Sequence, residues 1–186
     1  MDAYEALVTR ISPKELCEPA PDEAALRKIV AAGLRAPDHG RLRPWRFISI
    51  RGGARHRLGE VFAAALARRE PGAGAELERE RQKPLRAPLV LVVAAHIAHS
   101  PKIPPVEQLL SAGAAAQNIM IACHALGFGA MWKTGAPAYD RGVKEALGLA
   151  AADEIAGFLY IGTPKTTPKP PAPLDPADFV RAWTPD

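Results

Sequence analysis

The sequence predicts an α+β protein in which helices and strands form a layered sandwich. Apolar residues recur at helical spacing in several long segments, which indicates amphipathic helices. The run Pro88–Ala94 is continuously apolar, as in a strand buried on both faces. Helices and strands that alternate in this way favour layers around one core. The 186 residues suit one domain, residues 1–186, with a proline-rich extended tail at about 164–186.

The chain up to Lys83 contains three predicted helices and one predicted strand. Asp22 is the predicted N-cap of a helix, and Pro37 ends that helix. The charged, glycine-interrupted segment Glu70–Lys83 is expected to be an exposed and mobile excursion. The predicted elements are helices over Asp2–Thr9, from Asp22 towards Pro37 and over Arg55–Arg69, and a strand through Phe47, Ile48 and Ile50.

The second half is organised around a long helix, from about Val106 to Leu126. Its middle, Ser111–Ala116, carries only small side chains, which suit either a tightly packed core helix or a subunit interface. Gly127 and Gly129 are expected to end this helix with left-handed backbone angles. The elements predicted next are a strand over Ala130–Trp132, a helix over Asp140–Leu147 closed by Gly148, a strand over Ile155–Ile161, and an apolar anchor for the tail at Phe179, Val180 and Trp183.

Charge and composition exclude several classes of function. The formal charge of +4 and the pI of about 9.3 come from scattered basic residues without a recognition motif, so no nucleic-acid partner is predicted. Cys17 and Cys123 form no metal-ligand spacing. Neither a signal peptide nor a membrane-spanning segment is apparent, so the expected location is cytoplasmic.

No constellation typical of hydrolytic or metal chemistry stands out, and the sequence predicts no catalytic side chain and no metal site. Neither a GxGxxG fingerprint nor a P-loop is present, so any bound anion must be held by side chains. Three clusters could do this. They are Arg10-Ile11-Ser12 after the first helix, Arg35 to His39 at a helix break, and the glycine-bracketed run Gly127–Gly135 that contains Lys133.

In this order and spacing the clusters resemble the nitroreductase family, most closely its YdjA-like subgroup. MDAYEALVTRIS resembles the family's helix ending in Arg-Arg-Ser, and APDHGRLRPWRF is similar to the APDH-x3-QPW-x-F segment of the subgroup. GFGAMWKTGA resembles the GFG-x-x-W-[RK]-[ST]-G turn, and GFLYIGTP the last core strand. The resemblance covers nearly the whole chain. It implies a central mixed β-sheet flanked by helices and a homodimer with FMN at the subunit interface.

The resemblance assigns roles to particular residues. Arg10, Ile11 and Ser12 are expected at the ribityl-phosphate side of FMN, and Arg35 and His39 are expected to reach the FMN of the partner subunit. Met131, Trp132 and Lys133 are expected to close over the phosphate and the ring. The nicotinamide-nucleotide segment of the subgroup falls on Ile121, Ala122, Cys123, His124, Ala125 and Leu126.

Two positions depart from the family pattern. Ile11 stands where the family has a second arginine, and Lys133 where the subgroup often has an arginine. Lysine is a point charge rather than a two-pronged clamp. Because a charge-assisted hydrogen bond contributes about 1.5–3 kcal/mol, these departures are expected to weaken FMN retention.

The implied activity is a ping-pong oxidoreductase. NADH or NADPH reduces FMN and leaves, and a nitroaromatic or quinone-like acceptor then takes the electrons. Two alternatives stay open: a flavoenzyme of the same fold with a different substrate, and a non-catalytic flavin-binding redox sensor.

Overall fold

The computed structural model describes residues 1–166, 169 and 171–184. Its helices are α1 (Ala3–Thr9), α2 (Glu23–Gly33), α3 (Gly53–Arg69), α4 (Ala75–Gln82), α5 (Pro105–Ala125), α6 (Ala136–Tyr139) and α7 (Arg141–Ala146). Its strands are β1 (Leu16–Cys17), β2 (Trp45–Arg51), β3 (Leu89–Ala95), β4 (Gly129–Lys133) and β5 (Glu154–Pro164). Short 3-10 turns occupy His39–Arg41, Lys83–Arg86 and Pro176–Asp178.

The five strands form one sheet with the order β1-β5-β3-β2, and β4 pairs with β5. Every strand pairing within the described residues is antiparallel, so the expectation of a mixed sheet is wrong on this point. β3 is buried along its whole length, as its apolar run predicts. An apolar run shows that both faces of a strand are covered, but it carries no information about the direction of its neighbours.

Two hydrophobic cores cover the two faces of the sheet. Alternate side chains of β3 point into each, so that Val90 and Val92 belong to one core and Leu91 and Val93 to the other. The first core lies under α3, α6 and α7, and the second lies under α2 and α5. This helix–sheet–helix arrangement confirms the predicted α+β layered sandwich.

Local signals set the ends of several helices as predicted. The carboxylate of Asp22 accepts a hydrogen bond from the backbone N–H of Ala25 at 2.7 Å and so caps α2. Asp140 caps α7 in the same way through the N–H of Val143. Gly148 follows α7 with φ of 72°, the left-handed conformation that suits a helix C-terminus.

The segment Glu70–Lys83 differs from the predicted excursion because it contains α4. This helix is exposed, as expected, but it packs against α3. A Cβ on Gly59 of α3 would lie 2.3 Å from the carbonyl oxygen of Arg81, so glycine permits this close approach. Arg81 also pairs with Glu60 of α3 at 3.0 Å, and Glu60 raises the pKa of Arg81. Ala, Glu, Leu, Arg and Gln are strong helix formers, which explains the helix within a highly charged sequence.

Two glycines near the end of α5 have different structural roles. Gly127 has φ of 83° and terminates the helix as predicted, whereas Gly129 lies within β4, and its predicted left-handed angle is wrong. A Cβ on Gly129 would lie 2.6 Å from Leu16 and 2.8 Å from Pro13. Gly129 therefore allows the segment after α1 to pack directly on the start of β4.

The small-residue stretch of α5, Ser111–Ala116, packs into the core on one side of the helix only. Ser111, Ala112, Ala115 and Ala116 are buried within the chain, while Gly113 and Ala114 remain half-buried. Small side chains thus let α5 lie close to the sheet.

The C-terminal tail does not pack in the way that its apolar residues suggest. Phe179, Val180 and Trp183 are each more than 70% exposed, so the predicted anchor to this chain is wrong. Positions 167, 168, 170, 185 and 186 of the predicted proline-rich tail lie outside the described residues. Within the single chain these apolar side chains have little to bury against.

Candidate functional site

Arg10 lies directly after α1, at the point where the chain turns into an extended conformation. Its Nη1 atom is buried and has no hydrogen-bond partner in the described structure. A buried guanidinium donor without an acceptor is costly. Neighbouring Ser12 is exposed and Ile11 half-buried. The position of Arg10 thus suits an anion that is not part of the protein chain.

The end of α1 is attached to the end of α5 by a hydrogen bond between Thr9 and His124. The Thr9 hydroxyl donates to the carbonyl oxygen of Glu5 at 2.6 Å and lies 2.9 Å from Nε2 of His124. Because the hydroxyl proton is already committed to Glu5, Nε2 of His124 is the donor to Thr9. This contact fixes Arg10 beside the C-terminal turn of α5.

The loop that carries Arg35 and His39 is attached to the opposite end of α5. Nδ1 of His39 donates to Oε2 of Glu107 at 2.6 Å. The Ser111 hydroxyl donates to the carbonyl oxygen of Pro37 at 2.6 Å. Arg35 is exposed and makes no side-chain hydrogen bond within the described part of the chain. The loop therefore presents one free guanidinium and one oriented imidazole to solvent.

The side chains of β4 alternate between the two faces of the sheet. Met131 packs with the core under α3, whereas Trp132 packs with the core under α5. The indole of Trp132 lies over Gly157, and its Nε1 donates to the carbonyl oxygen of Ala156 at 3.0 Å. Lys133 follows at the end of the strand and is exposed. Of these three residues, Lys133 alone offers a free charged group.

Lys133 borders a cavity of about 340 Å³ on the α3 side of the sheet. Burial raises the pKa of the Tyr160 hydroxyl in its wall to about 12, so this group stays neutral at physiological pH. Lys83 and Arg86 add two further cations at the margin. The lining residues are Phe62, Lys83, Arg86, Trp132, Lys133, Thr134, Gly135, Pro137 and Tyr160.

A second cavity, of about 350 Å³, lies beside His39. It is lined by Pro37, His39, Glu107, Leu110, Ser111 and Ala114, and so follows the outward face of α5. Leu110 is 66% exposed there. This cavity contains an apolar surface that the single chain leaves uncovered.

One chain does not bring all the predicted cofactor residues together. His39 contacts Glu107 in the first turn of α5, whereas Arg10 follows Thr9, which is hydrogen-bonded to His124 in the last turn. With a rise of 1.5 Å per residue, these two turns are on the order of 25 Å apart. Arg10 and His39 of the same chain are therefore on different parts of the surface, on either end of one helix.

The predicted nucleotide segment, Ile121–Leu126, forms the C-terminal end of α5 and the residue after it. Cys123 is completely buried, and burial raises the pKa of its thiol to about 12. His124 is bonded to Thr9, while Ala125 and Leu126 are exposed. The assignment of a nicotinamide nucleotide to this segment stays a prediction.

The two thiols are expected to differ in reactivity. The thiolate is the reactive form, and at pH 8 a thiol with a pKa of about 12 is almost entirely protonated. An aromatic disulfide reagent should therefore titrate half-buried Cys17 in the native protein and Cys123 only after denaturation. Cys17→Ser is the control, since it should abolish the native reaction. Equal native rates for both thiols would contradict the burial of Cys123.

Three polar residues of these sites are marked by no signal in the sequence. Glu107, which holds His39, looks like an ordinary acidic residue in the first turn of a helix. Lys83 is the last residue of the predicted excursion, and Arg86 lies three residues beyond it. The short 3-10 turn after α4 brings both cations to the cavity beside Lys133, and only the three-dimensional structure reveals this contact.

The fold is an α+β sandwich in which Arg10, at the end of α1, has a guanidinium nitrogen without an acceptor among the described residues, and Lys133, at the end of β4, is exposed. The model of the Nitroreductase family matches residues 7–163. The chain belongs to the nitroreductase family of oxidoreductases.

Individual relatives agree with this membership. The chain is 42% identical over 168 residues to "Putative NAD(P)H nitroreductase YdjA" of Escherichia coli K12, covering 89% of this chain and 90% of that protein. It superposes on a nitroreductase-like family protein from Bacillus cereus with a TM-score of 0.83 at 21% identity, covering 98% and 96% of the chains. A "putative nitroreductase in complex with FMN" from Desulfovibrio desulfuricans gives a TM-score of 0.73 at 23% identity, covering 99% and 98%. The two structural matches show the fold.

None of the helices in the described part of the chain is long and apolar enough to cross a membrane.

Proposed function

We propose that this protein is an FMN-dependent oxidoreductase that uses NADH or NADPH to reduce nitroaromatic or quinone-like acceptors in a ping-pong reaction. The observation that carries the proposal is the buried Nη1 of Arg10, which has no acceptor among the described residues. A phosphate there would supply the missing acceptor. The family, and relatives named for NAD(P)H and for bound FMN, make FMN the ligand that fits best.

The arrangement of β4 suits an elongated ligand. Pro13 packs on Gly129 at the start of β4, whereas Lys133 is its last residue. At about 3.3 Å per residue the two ends of β4 are on the order of 13 Å apart. We therefore assign Arg10 and Ser12 to the phosphate of FMN and Lys133 to its ring end, with Met131 and Trp132 as the apolar support of the strand.

The opposite ends of α5 supply the argument for a homodimer. Arg10 of one chain cannot share a ligand with His39 of the same chain, because the length of α5 separates them. Two copies of α5 that pack antiparallel would place Arg35 and His39 of one subunit beside Arg10 of the other. The exposed apolar residues that such an interface would cover are Tyr4, Leu7, Val8, Val106 and Leu110 on the helices, and Phe179, Val180 and Trp183 in the tail.

Leu110→Glu is expected to shift the protein from dimer to monomer and to lower its flavin content in parallel. A carboxylate on the outward face of α5 would have to be desolvated at the proposed interface, which is costly. Sedimentation and the absorbance of bound flavin measure the two effects. Ala64→Glu, at an exposed position of α3, is the matched control and should leave both unchanged. A Leu110→Glu monomer with full flavin would contradict a shared site.

The residues have positioning and electrostatic functions in the proposed reaction. FMN, when bound, would supply the redox chemistry, accepting hydride from the nicotinamide and passing electrons to the acceptor. Arg10 and Ser12 would hold the phosphate, and Lys133 would place positive charge beside the ring. The Glu107 carboxylate would hold the His39 imidazole in one orientation towards the partner's site. No side chain needs to act as a nucleophile.

Stopped-flow mixing of the purified protein with NADH and with NADPH tests this function. We expect the protein to be yellow, and its flavin absorbance to bleach with at least one of the nucleotides and to recover when a nitroaromatic or quinone is added. Failure to bind flavin even when FMN is added to the purified protein, or a flavin that neither nucleotide bleaches, would disprove the proposal. Bleaching without recovery by any organic acceptor would instead favour a redox sensor.

A further inference from the structure

On the basis of the function proposed above, we propose that the cavity beside Lys133 binds the aromatic acceptor, and that Arg86 selects acceptors that carry an anionic substituent. The ligand class is a one-ring nitroaromatic or quinone with a carboxylate or sulfonate group. Lys133 contributes to the positive potential that attracts this group.

The shape of the cavity favours a small aromatic ligand. Phe62 and Tyr160, both almost completely buried, contribute to its wall on the sheet and α3 side. Phe62 is held in place by Phe158, whose ring centroid lies 5.1 Å away in an edge-to-face arrangement. A volume of about 340 Å³ is at the lower end of the range for ligand pockets. It suits one substituted ring better than a dinucleotide.

The charges around the cavity favour an anion. Lys83 is paired with Glu80, so these two charges compensate each other. Arg86 and Lys133 have no carboxylate partner within the described residues, which leaves two positive charges at the margin. The Tyr160 hydroxyl is neutral at physiological pH and adds no opposing charge. The two cations lie on separate elements, the turn before β3 and the end of β4, and so border the cavity from two sides.

Arg86 is the better suited of the two cations for recognition of a carboxylate. Its guanidinium can form two parallel hydrogen bonds to a carboxylate or sulfonate, whereas Lys133 offers a single point charge. Arg86 is solvent-exposed, which moderates the strength of such a pair. We therefore expect a selectivity of about three- to tenfold rather than absolute discrimination.

Equilibrium binding to the purified protein, with whatever flavin it retains, tests this inference independently of electron transfer. Calorimetric titration compares 4-nitrobenzoate with its neutral methyl ester, which has the same ring and nitro group. We expect 4-nitrobenzoate to bind about three- to tenfold more tightly, and the difference to shrink at high salt. Arg86→Gln should abolish most of the difference. Arg27→Gln removes an equal charge from α2, on the other side of the sheet, and should preserve it.

Four results would overturn the inference. The first is equal affinity of the native protein for acid and ester. The second is a selectivity that Arg86→Gln leaves intact or that Arg27→Gln also removes. The third is loss of flavin from Arg86→Gln, which would assign the cavity to the cofactor. Arg86-dependent binding of adenosine 2′,5′-bisphosphate without binding of 4-nitrobenzoate would also overturn it. None of these results depends on bleaching by NADH or NADPH, so the two proposals can fail separately.

Discussion

Replacing Arg10 with alanine is expected to lower the affinity for FMN by about ten- to a hundredfold, so that the protein purifies largely without flavin. The reason is the loss of a charge-assisted hydrogen bond to phosphate, which contributes about 1.5–3 kcal/mol. Fluorescence titration of the flavin-depleted protein with FMN measures the effect. Undiminished affinity would show that the phosphate does not lie at Arg10.

Replacing Arg10 is expected to have the opposite effect on the stability of the protein without FMN. Nη1 of Arg10 is a buried donor without an acceptor in the described structure, so the chain gains nothing from it until a ligand binds. Arg10→Met keeps the aliphatic packing and removes this donor. We expect its Tm to equal or exceed that of the native protein without FMN, and the rise in Tm on adding FMN to be much smaller. A large loss of stability in the empty Arg10→Met protein would indicate a structural function for Arg10.

Local signals in the sequence predicted most of the elements, because these signals act over a few residues. The Asp22 cap, the apolar run of β3 and the left-handed Gly127 were all predicted correctly. The antiparallel direction of the sheet and the packing of α4 on α3 were not, since they depend on contacts between distant segments. Gly129 illustrates what local signals cannot predict. It allows the close approach of Pro13 and Leu16, which are far from it in sequence.

The candidate site was predicted from a resemblance rather than from the chemistry of single residues. The structure adds three features that the motifs omit. They are the buried donor on Arg10, the hydrogen bond from His39 to Glu107, and the separation of Arg10 from His39 by the length of α5. Arg86 belongs to none of the motifs, and it reaches the cavity only because the chain turns between α4 and β3. Contacts of this kind depend on the tertiary fold.

Gly157→Ala is expected to destabilise the protein by about 1–3 kcal/mol and to disturb the flavin site at the same time. A Cβ at this position of β5 would lie 2.0 Å from Nε1 of Trp132, far inside van der Waals contact. The indole is half-buried and its Nε1 is bonded to the carbonyl oxygen of Ala156, so it can move only by losing that bond. Overpacking of this kind typically costs about this amount. Because Lys133 follows Trp132 on β4, the end of the strand should shift with it.

Urea denaturation and FMN titration measure the two consequences of Gly157→Ala. Gly53→Ala is the matched control, because a Cβ at Gly53 has no neighbour within 4 Å and the position begins helix α3. That control should be neutral or stabilise the protein by up to about 1 kcal/mol. Trp132→Phe removes Nε1, so adding it to Gly157→Ala should recover part of the lost stability. No recovery is expected if Gly157→Ala destabilises β5 for a reason unrelated to Trp132. If Gly157→Ala matched Gly53→Ala in stability, Trp132 would not be held over Gly157, and the proposed support of Lys133 by β4 would fail.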